Sequence, residues 1–235
     1  MTLKMALCSA FGCFAIVSTL ADVGLQKAGT KGSDERRLII RAGTLFTKEG
    51  VPIQLSGFDS EIESDQSPEA GGRPAKHIKA VIVRSGSALV RVQDLSKLLE
   101  RRVNNPKLTD LTIETSGSEV KISGHLKKTL PVHFEIKGPV SVTKDGLIDL
   151  HESSMKVDKV PVKGLAGLLG MDPGRIVGND PAKGIQANKE DILLDPNELW
   201  GMSVQGKLTQ VKVIKNSLVL VYGSARTPSL ARAAR

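Results

Sequence analysis

The chain reads as α+β, a long curved antiparallel sheet wrapping two short amphipathic helices. Three observations predict this. Apolar and polar residues alternate with period two through segment after segment of the chain, the mark of strands with one wet and one dry face. Tight-turn pairs, Ser116-Gly117 and Asp145-Gly146, fall between consecutive segments. Two stretches, 94–103 and 161–169, switch to a helical period. Aromatics make up 3% of the 235 residues, so the core rests on Val, Leu and Ile, which favour strands.

The first 21 residues form a unit of their own. Lys4 precedes "MALCSAFGCFAIVSTLA", an apolar run ending in Thr19-Leu20-Ala21. The small residues at its end fit signal-peptidase cleavage after Ala21. The run also reaches the lower limit for a retained N-terminal anchor, and "AFGC" around Cys13 loosely suggests a lipid-attachment box. Both cysteines, Cys8 and Cys13, lie inside it. A cleaved chain therefore contains no thiol, which excludes disulfides, zinc-thiolate centres and a cysteine nucleophile. An exported, thiol-free chain suits a periplasmic or other extracytoplasmic location. Its net charge of +8 suits anionic lipid headgroups or other envelope polyanions, and equally simple solubility.

Residues 22–37 carry no apolar period and read as a flexible tether. The domain proper spans 38–223. "RLIIRAGTLF" and "VPIQLSGF" form a first hairpin across "TKEG", and residues 59–77, acidic and then Pro/Gly-rich, read as a mobile loop. "DLSKLLERRV" is the first helix. It places Leu95, Leu98, Leu99 and Val103 on one side and Lys97, Glu100 and Arg101 on the other, with Asp94 as its N-cap.

"LTIET" and "EVKISG" follow, with Leu111, Ile113, Val120 and Ile122 on the dry face. "PVHFEIKG" sets Val132, Phe134 and Ile136 opposite His133, Glu135 and Lys137. "VSVTKDGLIDLH" is a hairpin about Asp145-Gly146, and "SMKVDKV" continues with Met155 and Val157 against Lys156 and Asp158. In "KVPVKGLAGLLG" the residues Val162, Leu165, Ala166 and Leu169 recur at helical spacing, with Pro161 in the first turn. Gly164, Gly167 and Gly170 each cost about 1 kcal/mol in a helix interior, so this segment gains its order from burial or from lipid. Near the C-terminus the apolar parity switches between Leu208 and Val211, which requires a bulge at Thr209-Gln210. "LVLVY" is apolar on both faces, as suits a central strand. Residues 224–235 form a basic, fraying tail.

The layout over roughly residues 78 to 223 resembles the LmeA-type family of bacterial envelope proteins. Its carriers are "LSKLLERRV", the Asp145-Gly146 turn before "LIDL", "PVKGLAGLLG", "ILLDP" and the closing strands. That family binds phospholipid and is similar in fold to the tubular lipid-binding (TULIP) proteins. The resemblance implies an acyl chain between the sheet's dry face and the helices. It makes Leu95, Leu98, Leu99, Val103, Val162, Leu165, Leu168 and Leu169 candidate lining, with Met155, Val157 and the lone Trp200 at the rim.

Catalytic signals are sparse. His133 and His151 fall on the polar parity of their strands, His125 sits at a strand end and His77 closes the mobile loop. Glu190, Asp191, Asp195 and Glu198 form an acidic cluster, but Asp195 precedes a proline and reads as a turn organiser. No nucleophile elbow, phosphate loop or dinucleotide fingerprint occurs, and nucleic acid is suggested by charge alone. The expectation is a non-enzymatic lipid-binding or lipid-transfer protein of the envelope, with no cofactor, no metal and a membrane surface as partner. The rivals are an envelope interaction module with a dry core and a hydrolase using the acidic cluster.

Overall fold

The computed structural model describes residues 3–9, 12–18, 23–27, 36–47, 49–68, 74–103, 105–127, 131–158, 160–161, 176–187, 190–200 and 204–223. Antiparallel sheet dominates, as the alternation predicts, and short helices accompany it among the described residues.

The first sheet is built on two long strands, β5 (Pro52–Pro68) and β6 (Pro74–Arg91), with β4 (Arg36–Phe46) outside β5. The predicted first hairpin is therefore present and belongs to the main sheet. The chain's last strands, β16 (Leu208–Ile214) and β17 (Ser217–Gly223), complete it, with β17 between β6 and β16. One dry row crosses it as Val211, Leu220, Ala88 and Leu55. The opposite row, Lys212, Val219, Leu89, Gln54 and Thr44, faces outward. The register shifts between Leu208 and Gln210, the bulge that the switch of parity required.

Three further stretches pair as strand. Residues 59–68 and 74–77, predicted as loop, are paired strand out to Pro68 and Pro74. A two-stranded ribbon satisfies its backbone groups internally, so polar composition does not forbid it. Within the predicted tether, β3 (Val23–Lys27) pairs with residues 36–40 of β4. Within the predicted leader, β1 (Leu3–Ser9) and β2 (Gly12–Ser18) form a hairpin whose Ile16 and Val17 meet Leu45 and Thr44.

Helix α1 (Val92–Arg102) leads to the second sheet. It starts two residues before the predicted cap, with Arg91 at the N-cap position. Asp94 is buried inside the first turn, where its carboxylate accepts from Arg91 Nε at 2.6 Å. The helix is tied to both sheets. Val92 N–H donates to Asn216 O (2.9 Å), and Asn216 N–H donates to Thr115 Oγ1 (3.0 Å). Ser96 Oγ accepts from Ile113 N–H at 2.8 Å, satisfying a donor on the open side of strand β7 (Leu108–Ser116). Arg101 and Arg102 in the last turn hold Glu49 of the β4–β5 turn.

In the second sheet β7 pairs with β8 (Glu119–Lys127) and β8 with β9 (Pro131–Val142). The return from β9 is broken into β10 (Ile148–His151) and β11 (Ser154–Val157). β10 pairs with residues 140–142 of β9 and β11 with residues 134–137, so the register slips by one at Glu152-Ser153. Ser153 holds the slip: its N–H and its hydroxyl both donate to Lys137 O at 2.9 Å. Beyond it the sheet forks. β11 continues to β12 (Val160–Pro161), so Pro161 pairs as strand where a first helical turn is predicted. β10 continues to β14 (Asp191–Leu194) and β13 (Ile185–Ala187). This sheet is strongly curled, as a half-barrel.

At the β9–β10 turn Gly146 takes a positive φ of 84°, as its tight turn requires. Helix α2 (Pro196–Leu199) follows β14, its first turn capped by Asp195, whose carboxylate accepts from Asn197 N–H at 2.9 Å. This is the turn-organising role predicted for Asp195. A short strand, β15 (Val204–Gln205), runs parallel to β6. Among the described residues no helix is long and apolar enough to cross a membrane.

Candidate functional site

The dry faces of both sheets and the apolar side of α1 meet in one core. Phe134 is 0% exposed; Leu98, Leu99, Ile136 and Met155 are 1% exposed. Leu95 is buried as well, while Val103 and Val157 are half-buried and pack against the same core. These side chains are covered by protein and belong to one apolar cluster. The structure thus brings Leu95, Leu98, Leu99 and Met155 together, as core. Val162, Leu165, Leu168 and Leu169 lie outside the described residues.

Trp200 is not at an open rim. It follows α2 directly, is 5% exposed and belongs to the core. Its indole Nε1 is buried without a hydrogen-bond partner among the described residues. Buried tryptophan N–H groups ordinarily find an acceptor, and an orphaned donor costs about 1–3 kcal/mol.

The outward face of the second sheet is ionic. Lys121 bridges Glu114 and Glu135, Lys156 reaches Glu135 at 3.6 Å, and Lys137 pairs with Glu119 at 2.6 Å. Exposed pairs of this kind add little stability. Ile214, 50% exposed, is the exposed large hydrophobic among the described residues.

The acidic cluster divides. Asp195 caps α2, Glu198 is exposed, and Asp191 pairs across strands with His151, Oδ1 to Nδ1 at 2.7 Å. Asp149, two residues before His151, accepts from the Ser141 hydroxyl at 3.4 Å, while its Oδ1 is buried without a hydrogen bond among the described residues. The Asp191 hydrogen bond and charge, helped by Asp149 and Glu190, hold the His151 imidazole above its ordinary value of 6.5. Burial, then the Asp191 charge, pushes the Asp149 carboxyl upward.

A raised folded value means that the His151–Asp191 pair contributes fully below the ordinary histidine range. That contribution is lost as pH rises through the folded value. An NMR titration is expected to place the His151 midpoint above 6.5, and Asp191→Asn to lower it. A midpoint indifferent to that substitution would contradict the pairing.

Sequence reasoning placed Asp149 beside His151 but left Asp191 apart, because their proximity depends on the long-range β10–β14 register. It also missed that His125 and His133 are register partners on β8 and β9. The signal was available in the hairpin arithmetic, since pairing Lys127 with Pro131 brings the two histidines opposite each other. Comparison with protein families, with curated proteins and with solved structures returns no match for this chain.

Proposed function

We propose that this chain is a non-enzymatic lipid-binding protein of the bacterial cell envelope that takes an acyl-chain lipid, such as a phospholipid, at the Trp200 end of its core. The observation that carries this reading is the Trp200 indole N–H, buried in apolar surroundings with no acceptor among the described residues. A lipid ester or phosphate oxygen supplies such an acceptor. The curled sheet, the apolar glycine-rich stretch 161–170 and the resemblance to LmeA-type proteins all support the same class of ligand. Leu98 and Leu99 are buried within the apolar cluster and lie outside the proposed lipid contact.

Trp200 is the chain's one tryptophan, so its fluorescence reports directly on that end of the core. Native mass spectrometry of the purified chain is expected to show co-extracted phospholipid. Vesicles carrying brominated acyl chains are expected to quench the emission, and Trp200→Phe to lower lipid retention several-fold without unfolding the protein. Empty extracts together with unquenched emission would sink the proposal.

A second reading is favoured by the 0–1% exposure of Phe134, Leu98, Leu99 and Met155. It is an envelope interaction module with a dry core that works through its outer faces. That reading predicts empty extracts and a stability independent of added lipid.

A further inference from the structure

We propose that His125 and His133 form a two-imidazole site for a divalent transition-metal ion of the zinc class. Asp110 is its outer carboxylate and Asp158 its backbone brace. The histidines are direct register partners on the outward face of β8 and β9. Their rings stand edge to face with centroids 5.2 Å apart. Zinc–nitrogen bonds of about 2.0–2.1 Å at a tetrahedral angle set the centroids of two ligating imidazoles about 5 Å apart. The strand pairing therefore fixes a spacing that a bound ion needs.

The surroundings are arranged around this pair. Asp110 lies in a β-bulge of β7, where the register slips between Thr109 and Thr112 opposite β8, and has φ 56°. Bulges of this kind re-aim a side chain. Here the Asp110 Oδ2 stands 3.4 Å from His125 Nδ1, close enough for charge attraction but without an aligned hydrogen bond; that nitrogen is itself buried. A ligating histidine commonly gives its second ring N–H to a carboxylate, which fixes the tautomer and leaves the other nitrogen for the metal.

On the other side Asp158, with φ 49°, accepts the His133 backbone N–H at 3.0 Å, and its own N–H donates to His133 O at 2.9 Å. Of the three non-glycine residues with positive φ among those described, two are these aspartates. Left-handed backbone at non-glycine positions collects at functional sites. No set of three His, Cys, Asp or Glu donors converges among the described residues. The proposed shell is therefore two imidazole nitrogens completed by water, a chelate on an exposed sheet face rather than a closed structural zinc centre. Imidazole suits zinc, copper and nickel alike.

The test is calorimetric titration of the tag-free full chain with zinc sulfate at neutral pH, with imidazole NMR spectra recorded at sub-stoichiometric zinc. Saturable binding of about one ion per chain is expected, with resonances of His125 and His133 moving first. His125→Ala and His133→Ala are each expected to weaken zinc binding at least tenfold, and Asp110→Asn by about tenfold. His77→Ala and His151→Ala are expected to leave it unchanged. If His133→Ala compromises folding, His125→Gln at its half-exposed position gives the same reading. Zinc affinity that survives loss of His125, or shifts confined to His77 or His151, overturns the proposal, as does the absence of binding.

Discussion

Replacing Gly138 with alanine is expected to destabilise the protein by about 3 kcal/mol or more, beyond the usual cost of one added methyl in a packed site. A Cβ at this position would lie 1.7 Å from His151 O, 2.8 Å from its carbonyl carbon and 3.2 Å from Ser153 N. All three are backbone atoms, so no side-chain rotation relieves the clash. The opposing backbone is also pinned. Ser153 is bonded twice to Lys137 O, Glu152 N–H donates to Glu190 O at 2.7 Å, and β10 is locked in register with β14. The fork of the second sheet requires a glycine where the two halves of the return strand press on β9. Urea denaturation followed by circular dichroism checks this. A midpoint within experimental scatter of the parent would show that the close approach is not obligatory.

Leu98→Ala is the second large effect, expected to cost about 2–5 kcal/mol. Leu98 is 1% exposed in α1, between the first sheet and β7, so truncation removes buried methyls from a site whose neighbours cannot all collapse inward. The same loss is expected in the delipidated, refolded chain and in the lipid-loaded one, because protein atoms cover this residue. A penalty that appears on lipid loading and vanishes without it would mean that hydrocarbon, not protein, packs against Leu98, and would return the ligand to the α1 side of the core.

Much of the architecture was legible because period-two alternation is a local property. Phe134 and Ile136 are buried opposite His133 and Glu135, and the bulge before Gln210 followed from a switch of parity. Legibility ended where long-range pairing decides. The polar residues 59–68 resemble loop, yet their backbone groups find partners in β6 across a chain reversal. Asp94 has the chemistry of a cap, but the helix starts earlier, and Arg91 offered its carboxylate a nearer cation.

The site was less readable for the same reason. Leucines at helical spacing look alike whether they cover a ligand or a neighbouring sheet. Their burial is settled by how β6, β7 and the distant α2 pack against α1, which no local pattern records. Trp200 illustrates the reverse: a residue type with a liking for interfaces sits in the core, and what distinguishes it is a missing acceptor rather than its position in the chain.

The insertion of β17 between β6 and β16 has a kinetic consequence. Residues 85–91 of β6 pair with residues 217–223, so the first sheet cannot close during synthesis until residues 217–223 have left the ribosome. Through that interval β6 carries an open, hydrogen-bond-hungry edge, which makes nascent or partly refolded chains prone to mispairing with one another. Non-local closure of this kind also slows folding, so a holding chaperone or dilute refolding is expected to raise the yield of native protein more than any stabilising change in its core.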